Sequence, residues 1–184
     1  PNESFFKFCS ELLEKYKNDT RIMHINGNNF LATKKNFFKS KYSYHFGNFP
    51  QVWGWATWKR AWNKFDLHMN SYKKIENNGF LRDKFINKLY EYSQFKRWDM
   101  AYNNKIDTWD FQWQYAVMSN NGLSIVPKKN LISNIGFGKQ ATHTKNKNSY
   151  KKALIRKDIK GNLIHPDFIL PDIKTDEWFQ KNML

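Results

Sequence analysis

The spacing of apolar residues near the start of the chain predicts a helix. Residues 2–17 place apolar side chains three and four positions apart, which predicts an amphipathic helix capped by Asn2 or Ser4. A shorter helix near residues 176–181 is predicted to end a tail that wraps over the surface. The predicted buried stripe of the first helix consists of Phe5, Phe6, Cys9, Leu12, Leu13 and Tyr16.

Short apolar runs predict strands between these helices. Residues 21–26 and 123–126 are two candidates, and residues 130–133 are a third. The first strand is followed by a polar loop that contains Asn28 and Asn29. Because α/β sheets place their ligand sites at the carboxyl ends of strands, this loop is a candidate binding element, although an ordinary turn has the same composition.

Four tryptophans stand within the ten residues 53–62. We predict an extended segment over 52–56, and then a helix that is capped by Thr57 and runs to Phe65. Gly54, between Trp53 and Trp55, indicates a close approach of backbone or ligand. Clustered tryptophans pack in protein cores and also stack on sugars, so both interpretations stay open.

The segment KIDTWDFQWQY, residues 105–115, predicts the start of another helix. Asp107 is the predicted N-cap, and Asp110, three residues later, could complete a capping box. Trp109 and Trp113 are spaced i,i+4 and therefore share one helix face. Asp110, flanked by two indoles, could be a base beside a sugar site, or it could simply cap the helix.

Composition indicates one domain with a substantial core. The chain has 184 residues, 18% of them aromatic, and a formal net charge of +15. That charge raises the possibility of nucleic-acid or membrane-surface binding. We disfavour both because lysine dominates, because it is spread along the chain, and because no nucleic-acid-binding motif is present.

The single cysteine, Cys9, rules out an internal disulfide and favours a reducing compartment. The sequence contains no apolar run of membrane-spanning length and no signal peptide. It begins with Pro1, not with Met, which leads us to expect a fragment or a processed product.

Several segments together resemble one family. FFKFCSELLEKYK, VWGWATWKRAW, KIDTWDFQWQYAV, LISNIGFG and ATHT are similar, in this order, to the C-terminal half of bacterial glycosyltransferases with the GT-A fold. These are the family-2-like sugar transferases of polysaccharide gene clusters. The resemblance covers residues 1–148, and residues 149–184 form the predicted tail.

The resemblance implies an α/β fold in which a mixed sheet is flanked by helices. In such enzymes the preceding half binds the nucleotide and carries an acidic cluster for a divalent metal, Mn²⁺ or Mg²⁺. That half is missing from this sequence, so the resemblance implies an acceptor-side fragment that is inactive alone.

The resemblance also assigns roles to individual residues. Asp110 matches the acidic residue that deprotonates the acceptor hydroxyl, and His143 matches a late histidine of the metal site. The candidate substrate-binding residues are Trp53, Gly54, Trp55, Trp109, Trp113, Asn28, Asn29, Gly136 and Gly138.

We therefore expect a cytoplasmic sugar transferase of cell-surface polysaccharide synthesis, which could associate peripherally with the inner membrane face. Its expected partners are a nucleotide-sugar donor and a glycan or lipid-linked acceptor, with no nucleic acid. A carbohydrate-binding module without enzymatic activity is the first alternative, and a basic nucleic-acid or membrane-surface domain is the second.

Overall fold

A four-stranded mixed sheet lies at the centre of the structure, a computed structural model that describes residues 1–33, 40–134 and 155–183. The strand order is β2-β4-β1-β3, in which β1 runs parallel to β4 and the two outer pairs are antiparallel. The strands are β1 (Ile22–Asn26), β2 (Tyr44–Gly47), β3 (Trp55–Ala56) and β4 (Leu123–Pro127). This arrangement confirms the predicted mixed sheet and two of the predicted strands.

Helices flank the sheet. The α-helices are α1 (Glu3–Lys15), α2 (Lys59–Trp62), α3 (Tyr72–Asn77), α4 (Lys88–Tyr102), α5 (Asp110–Ser119) and α6 (Ile173–Asn182). Two 3₁₀ turns are also present, Phe30–Thr33 between β1 and β2 and Arg82–Lys84 between α3 and α4. None of the helices in the described ranges has the length and apolar character needed to cross a membrane.

The first helix forms where the periodicity places it. The side chain of Asn2 accepts a hydrogen bond from the Phe5 backbone N–H at 3.0 Å, which confirms Asn2 as the N-cap. Phe8 lies in the buried stripe, whereas Phe6 is 58% exposed. The prediction for Phe6 was wrong because a position one residue along a helix from Phe5 is turned by about 100°.

Two predicted elements are shorter than expected or absent. Helix α2 ends at Trp62, and the hydroxyl of Thr57 donates to the Met23 carbonyl at 2.6 Å without capping the helix. Residues 130–133 do not form a strand; there the Asn130 side chain donates to the Ile132 carbonyl at 2.6 Å, a local bond that competes with strand pairing.

The buried residues form three connected clusters. Between α1 and the sheet, Phe8 and Leu12 pack with Ile25 and Ile125. A second cluster joins α4, α5 and α6 around Trp98. A third packs α2 and α5 against the edge of the sheet. The tail contributes to this packing through Ile159, Leu163, Ile169 and Phe179.

Candidate functional site

A cleft opens where the chain leaves the carboxyl end of β1. Its volume is about 240 Å³, and its walls come from the β1 loop, the segment 50–53 and the helices α4, α5 and α6. The charged and amide side chains that line it belong to Asn28, Gln51, Gln94, Arg97, Asp110 and Gln114. This position agrees with the general rule that ligands bind at the carboxyl ends of strands in α/β folds.

Asp110 enters the cleft from the first turn of α5. Its Oδ1 accepts the Phe111 backbone N–H at 2.9 Å and the Thr108 hydroxyl. Its Oδ2 has no hydrogen-bond donor among the residues that the structure describes. The carboxylate is therefore held by one oxygen while the other remains available to a ligand in the cleft.

The start of α5 differs from its predicted form. Asp107 does not cap the helix, which begins at Asp110 with Trp109 in the N-cap position. The backbone N–H of Asp110 donates to the Thr108 hydroxyl at 3.3 Å, and Gln112 Nε2 donates to the Thr108 carbonyl at 2.8 Å. The predicted capping box between Asp107 and Asp110 was wrong, since the turn is closed by Thr108.

Asn28 and Gln51 join the β1 loop to the segment before Trp53. Asn28 Nδ2 donates to Gln51 Oε1 at 2.5 Å, and the Gln51 backbone N–H donates to Asn26 Oδ1 at 2.8 Å. Asn28 is fully buried, yet its Oδ1 has no donor among the described residues. Because buried acceptors are normally paired, this oxygen at the cleft wall is suited to a hydroxyl of a ligand.

Aromatic rings form the wall beside these polar groups. Trp53 meets Phe30 edge to face, with 5.2 Å between the ring centroids. Phe179 of α6 lies 6.3 Å from Phe30, so the terminal helix contributes to the same wall. The cleft thus combines an aromatic surface with polar groups that both donate and accept hydrogen bonds.

The other predicted tryptophans do not line this cleft. Trp55 stacks on His24 at 5.1 Å and on Trp109 at 5.7 Å, and Trp113 lies 5.6 Å from Trp55. Trp113 is fully buried, whereas Trp109 is 43% exposed. Their i,i+4 spacing correctly places both on one helix face, but that face packs on Trp55.

His24 connects this aromatic cluster to the cleft through two hydrogen bonds. Trp113 Nε1 donates to His24 Nδ1 at 2.9 Å, and His24 Nε2 lies 3.0 Å from the Gln51 carbonyl. Because Nδ1 accepts, the proton of the neutral ring is on Nε2, which donates to Gln51. Burial lowers the pKa of His24 to about 4, so the ring is neutral near pH 7.

Gly54 and Asn29 are engaged in the fold itself. Gly54 has a φ of +58°, and a Cβ atom there would come within 2.5 Å of Ile132 Cγ1. Asn29 is 1% exposed, and its side chain donates to the Pro127 carbonyl at 2.7 Å and accepts from the Leu31 N–H at 2.8 Å. Both residues fix the loop that presents Asn28.

Gly136, Gly138 and His143 lie outside the described residues. Within the described ranges, no group of three His, Cys, Asp or Glu side chains could hold a metal ion. The cleft itself offers a single carboxylate, that of Asp110. The resemblance assigns the acidic metal cluster to the preceding half, so the divalent metal stays a prediction.

Sequence reasoning missed four polar residues of the cleft: Gln51, Gln94, Arg97 and Gln114. Gln51 stands just before the tryptophan segment, and Arg97 lies within a helix that showed no recognisable chemistry. The only signal for Gln51 is its closeness to Trp53, and Arg97 is marked only as an arginine in a lysine-rich chain. Their positions depend on contacts between segments that are far apart in sequence.

A second depression, of about 320 Å³, lies on another part of the surface, beside β2 and the tail. It is lined largely by Tyr42, Tyr44, Phe46, Phe168 and Leu170. None of the predicted site residues borders it. The cleft at Asp110 is the better candidate because polar and aromatic groups converge there.

Comparisons with known protein families, with curated proteins and with solved structures found no match for this chain. The functional interpretation therefore depends on the residues and geometry of the cleft.

Proposed function

We propose that this chain is the acceptor-side portion of a glycosyltransferase with the GT-A fold, acting in cell-surface polysaccharide synthesis. The observation that carries the proposal is that Asp110, Asn28 and Trp53 line one cleft. Each of the three is among the site residues that the resemblance or the loop pattern indicates, and they come from three separate segments. In this proposal, the cleft binds the acceptor sugar, to which the donor sugar is transferred.

The aromatic wall and the buried amide have complementary roles in binding a sugar. A pyranose ring has an apolar face that can pack on an indole, and its hydroxyl groups need hydrogen-bond partners. Trp53 supplies the indole, and the unpaired Oδ1 of Asn28 supplies an acceptor. Together they orient one hydroxyl group toward Asp110.

Asp110 is the general base of the proposed reaction. The acceptor oxygen forms a bond to the anomeric carbon of the donor as the bond from that carbon to the nucleoside diphosphate breaks. The hydroxyl proton passes to Asp110 Oδ2, and the diphosphate leaves with the bonding electron pair. Since Oδ1 is held by Phe111 and Thr108, the carboxylate is already oriented before the acceptor binds.

Acceptor binding and proton removal can be described without the half that binds the nucleotide sugar. No step of the proposal passes through a metal, because the resemblance assigns the acidic metal cluster to the preceding half. The proposal concerns acceptor binding and proton removal.

The test is Asp110→Asn in the native gene product that contains this chain. This substitution keeps the Oδ1 acceptor for Phe111 but removes the base, so transfer from a nucleotide sugar should fall by roughly 10²- to 10⁴-fold. Transfer is measured with radiolabelled donor, and donor binding should stay unchanged. Asp107→Asn, at an exposed carboxylate three residues earlier, is the matched control.

Equal transfer by the two variants and the unsubstituted protein would show that Asp110 does not act as a base. Saccharide binding by the unsubstituted protein, without transfer from any nucleotide sugar, would favour the carbohydrate-binding module.

A further inference from the structure

Arg97 has an unusual place among the arginines of the chain. Of the five arginines, four are engaged within the protein. Arg21 pairs with Asp19, Arg82 pairs with Glu91, Arg60 donates to three backbone carbonyls, and Arg156 donates to the Pro1 carbonyl. Arg97 has neither a hydrogen-bond acceptor nor an ion-pair partner among the described residues, and it lines the cleft.

Arg97 lies near Tyr90, another residue that lines the cleft. Its positive charge lowers the pKa of the Tyr90 hydroxyl, against the larger opposite effect of burial, and Tyr90 lines the same cleft. The guanidinium is therefore close enough to a buried neighbour to act on it. An arginine that is half-buried without an acceptor leaves five N–H donors to be satisfied by solvent or by a ligand.

Asp110 is the second charged side chain in the described lining of the cleft, and it does not form an ion pair with Arg97. Asp110 and Arg97 are the charged residues among its described lining, and they form no ion pair within 4.0 Å. The carboxylate is thus available to a hydroxyl group, and the guanidinium is available to an anion at a separate point. The buried Oδ1 of Asn28, which has no donor within the described ranges, is a third point of contact.

From this arrangement we infer that the saccharide bound in the cleft is acidic, with a carboxylate or phosphate group that pairs with Arg97. This inference names the substrate class of the proposed acceptor site and so rests on the proposed function. A guanidinium matches either oxyanion, because its planar N–H groups can donate two parallel hydrogen bonds. The neutral hydroxyl groups of the same sugar then meet Asp110 and Asn28.

The experiment compares acidic and neutral saccharides on the isolated 184-residue chain. An array of bacterial oligosaccharides is screened first, and the best acidic ligand is then titrated by calorimetry beside its neutral counterpart. The pairs are uronic acid against hexose, and sugar phosphate against free sugar, which separates the two sources of the anion. We expect the acidic member to bind at least about tenfold more tightly.

The variants identify the residue responsible. Arg97→Gln should abolish the preference for the acidic member, so that the acidic and neutral members bind with similar affinity. Lys96→Gln removes the same charge from the adjacent, exposed position of α4 and should keep the preference. Arg97→Lys keeps the charge but not the paired donors, so it should retain part of the preference.

The outcomes separate this inference from the proposed function. Equal binding of acidic and neutral members by the unsubstituted chain would overturn the inference and leave the saccharide site intact. Equal loss of preference in Arg97→Gln and Lys96→Gln would overturn it as well, because net charge would then be the cause. Binding of no saccharide at all would overturn both.

Discussion

His24 shows how a single buried residue can position a site that it does not enter. Its ring accepts a hydrogen bond from Trp113 of α5 and donates to the Gln51 carbonyl, and Gln51 in turn holds Asn28. The helix that carries Asp110 and the loop that carries Asn28 are thus fixed to the same imidazole. This geometry requires the neutral form of the ring, because a protonated Nδ1 could no longer accept from Trp113.

We expect acid to destabilise the fold through His24. Burial lowers the pKa of His24 from 6.5 to about 4, so the unfolded chain binds the proton more readily between those values. The stability that His24 contributes is therefore present above pH 6.5 and lost as the pH falls through about 4. The full loss is about 3 kcal/mol in the free energy of unfolding. Urea unfolding between pH 7 and pH 4 measures it.

The variant His24→Gln separates the contribution of His24 to stability from those of other groups that titrate in the same pH range. His45 is half-buried, and its pKa is also lowered, whereas burial raises the pKa of Asp176 to about 6. The contribution of Asp176 is present at low pH and lost as the pH rises through about 6, so it opposes the histidines. His24→Gln should be less stable at pH 7 and depend less on pH below 6.5. An unchanged pH dependence would contradict the assignment.

Helix α6 joins the tail to the cleft. Phe179 packs between the segment after β2 and α4, with its ring 5.4 Å from Phe49 and 5.9 Å from Tyr90. The side chain of Gln180 accepts the backbone N–H groups of Ile86 and Asn87, at 2.8 and 3.0 Å. The helix therefore completes the cleft wall and also covers the start of α4.

Truncation of Phe179 should show how much this packing is worth. We expect Phe179→Ala to lower the free energy of unfolding by about 3 kcal/mol or more, because it removes a buried ring from an aromatic cluster. Ile173→Ala, on the same helix but 54% exposed, should change it by about 0.5 kcal/mol or less. Urea denaturation of both variants provides the comparison. Equal losses would mean that α6 is not anchored through Phe179.

Elements with strong periodicity could be predicted from sequence, and those that depend on partners could not. Helix α1 and the strands β1 and β4 follow from apolar runs and spacing and from residues such as Asn2. The start of α5 was predicted wrongly, because Asp107 has the residue type of an N-cap, whereas the turn is closed by the hydroxyl and carbonyl of Thr108. The short strand β3 exists because it pairs with Asn26 and Ile25.

The candidate site was also predicted only in part. Asp110, Asn28 and Trp53 were predicted and lie together in the cleft. Trp109 and Trp113 were predicted from spacing, but spacing shows only that two residues share a helix face. Whether that face meets a ligand or another part of the protein depends on Trp55, a residue more than fifty positions earlier. Arg97 was missed for the same reason.

For the whole molecule, the local charges of the cleft differ from the overall charge. The chain has a net charge of +15, yet the described lining of the cleft holds one cation and one anion. A site for nucleic acid would need several cations along one surface to neutralise successive phosphates. The cleft is instead suited to a small ligand with both hydroxyl and anionic groups, which is the saccharide of the proposal.

The most direct test of this account is the affinity of two tryptophan variants for the best saccharide from the oligosaccharide array, measured by calorimetry. Trp53 lines the cleft, whereas Trp109 stacks on Trp55 and does not. The account predicts that Trp53→Ala weakens binding by at least about tenfold and that Trp109→Ala leaves it unchanged. Loss of binding in Trp109→Ala, with full affinity in Trp53→Ala, would contradict the placement of the sugar site in this cleft.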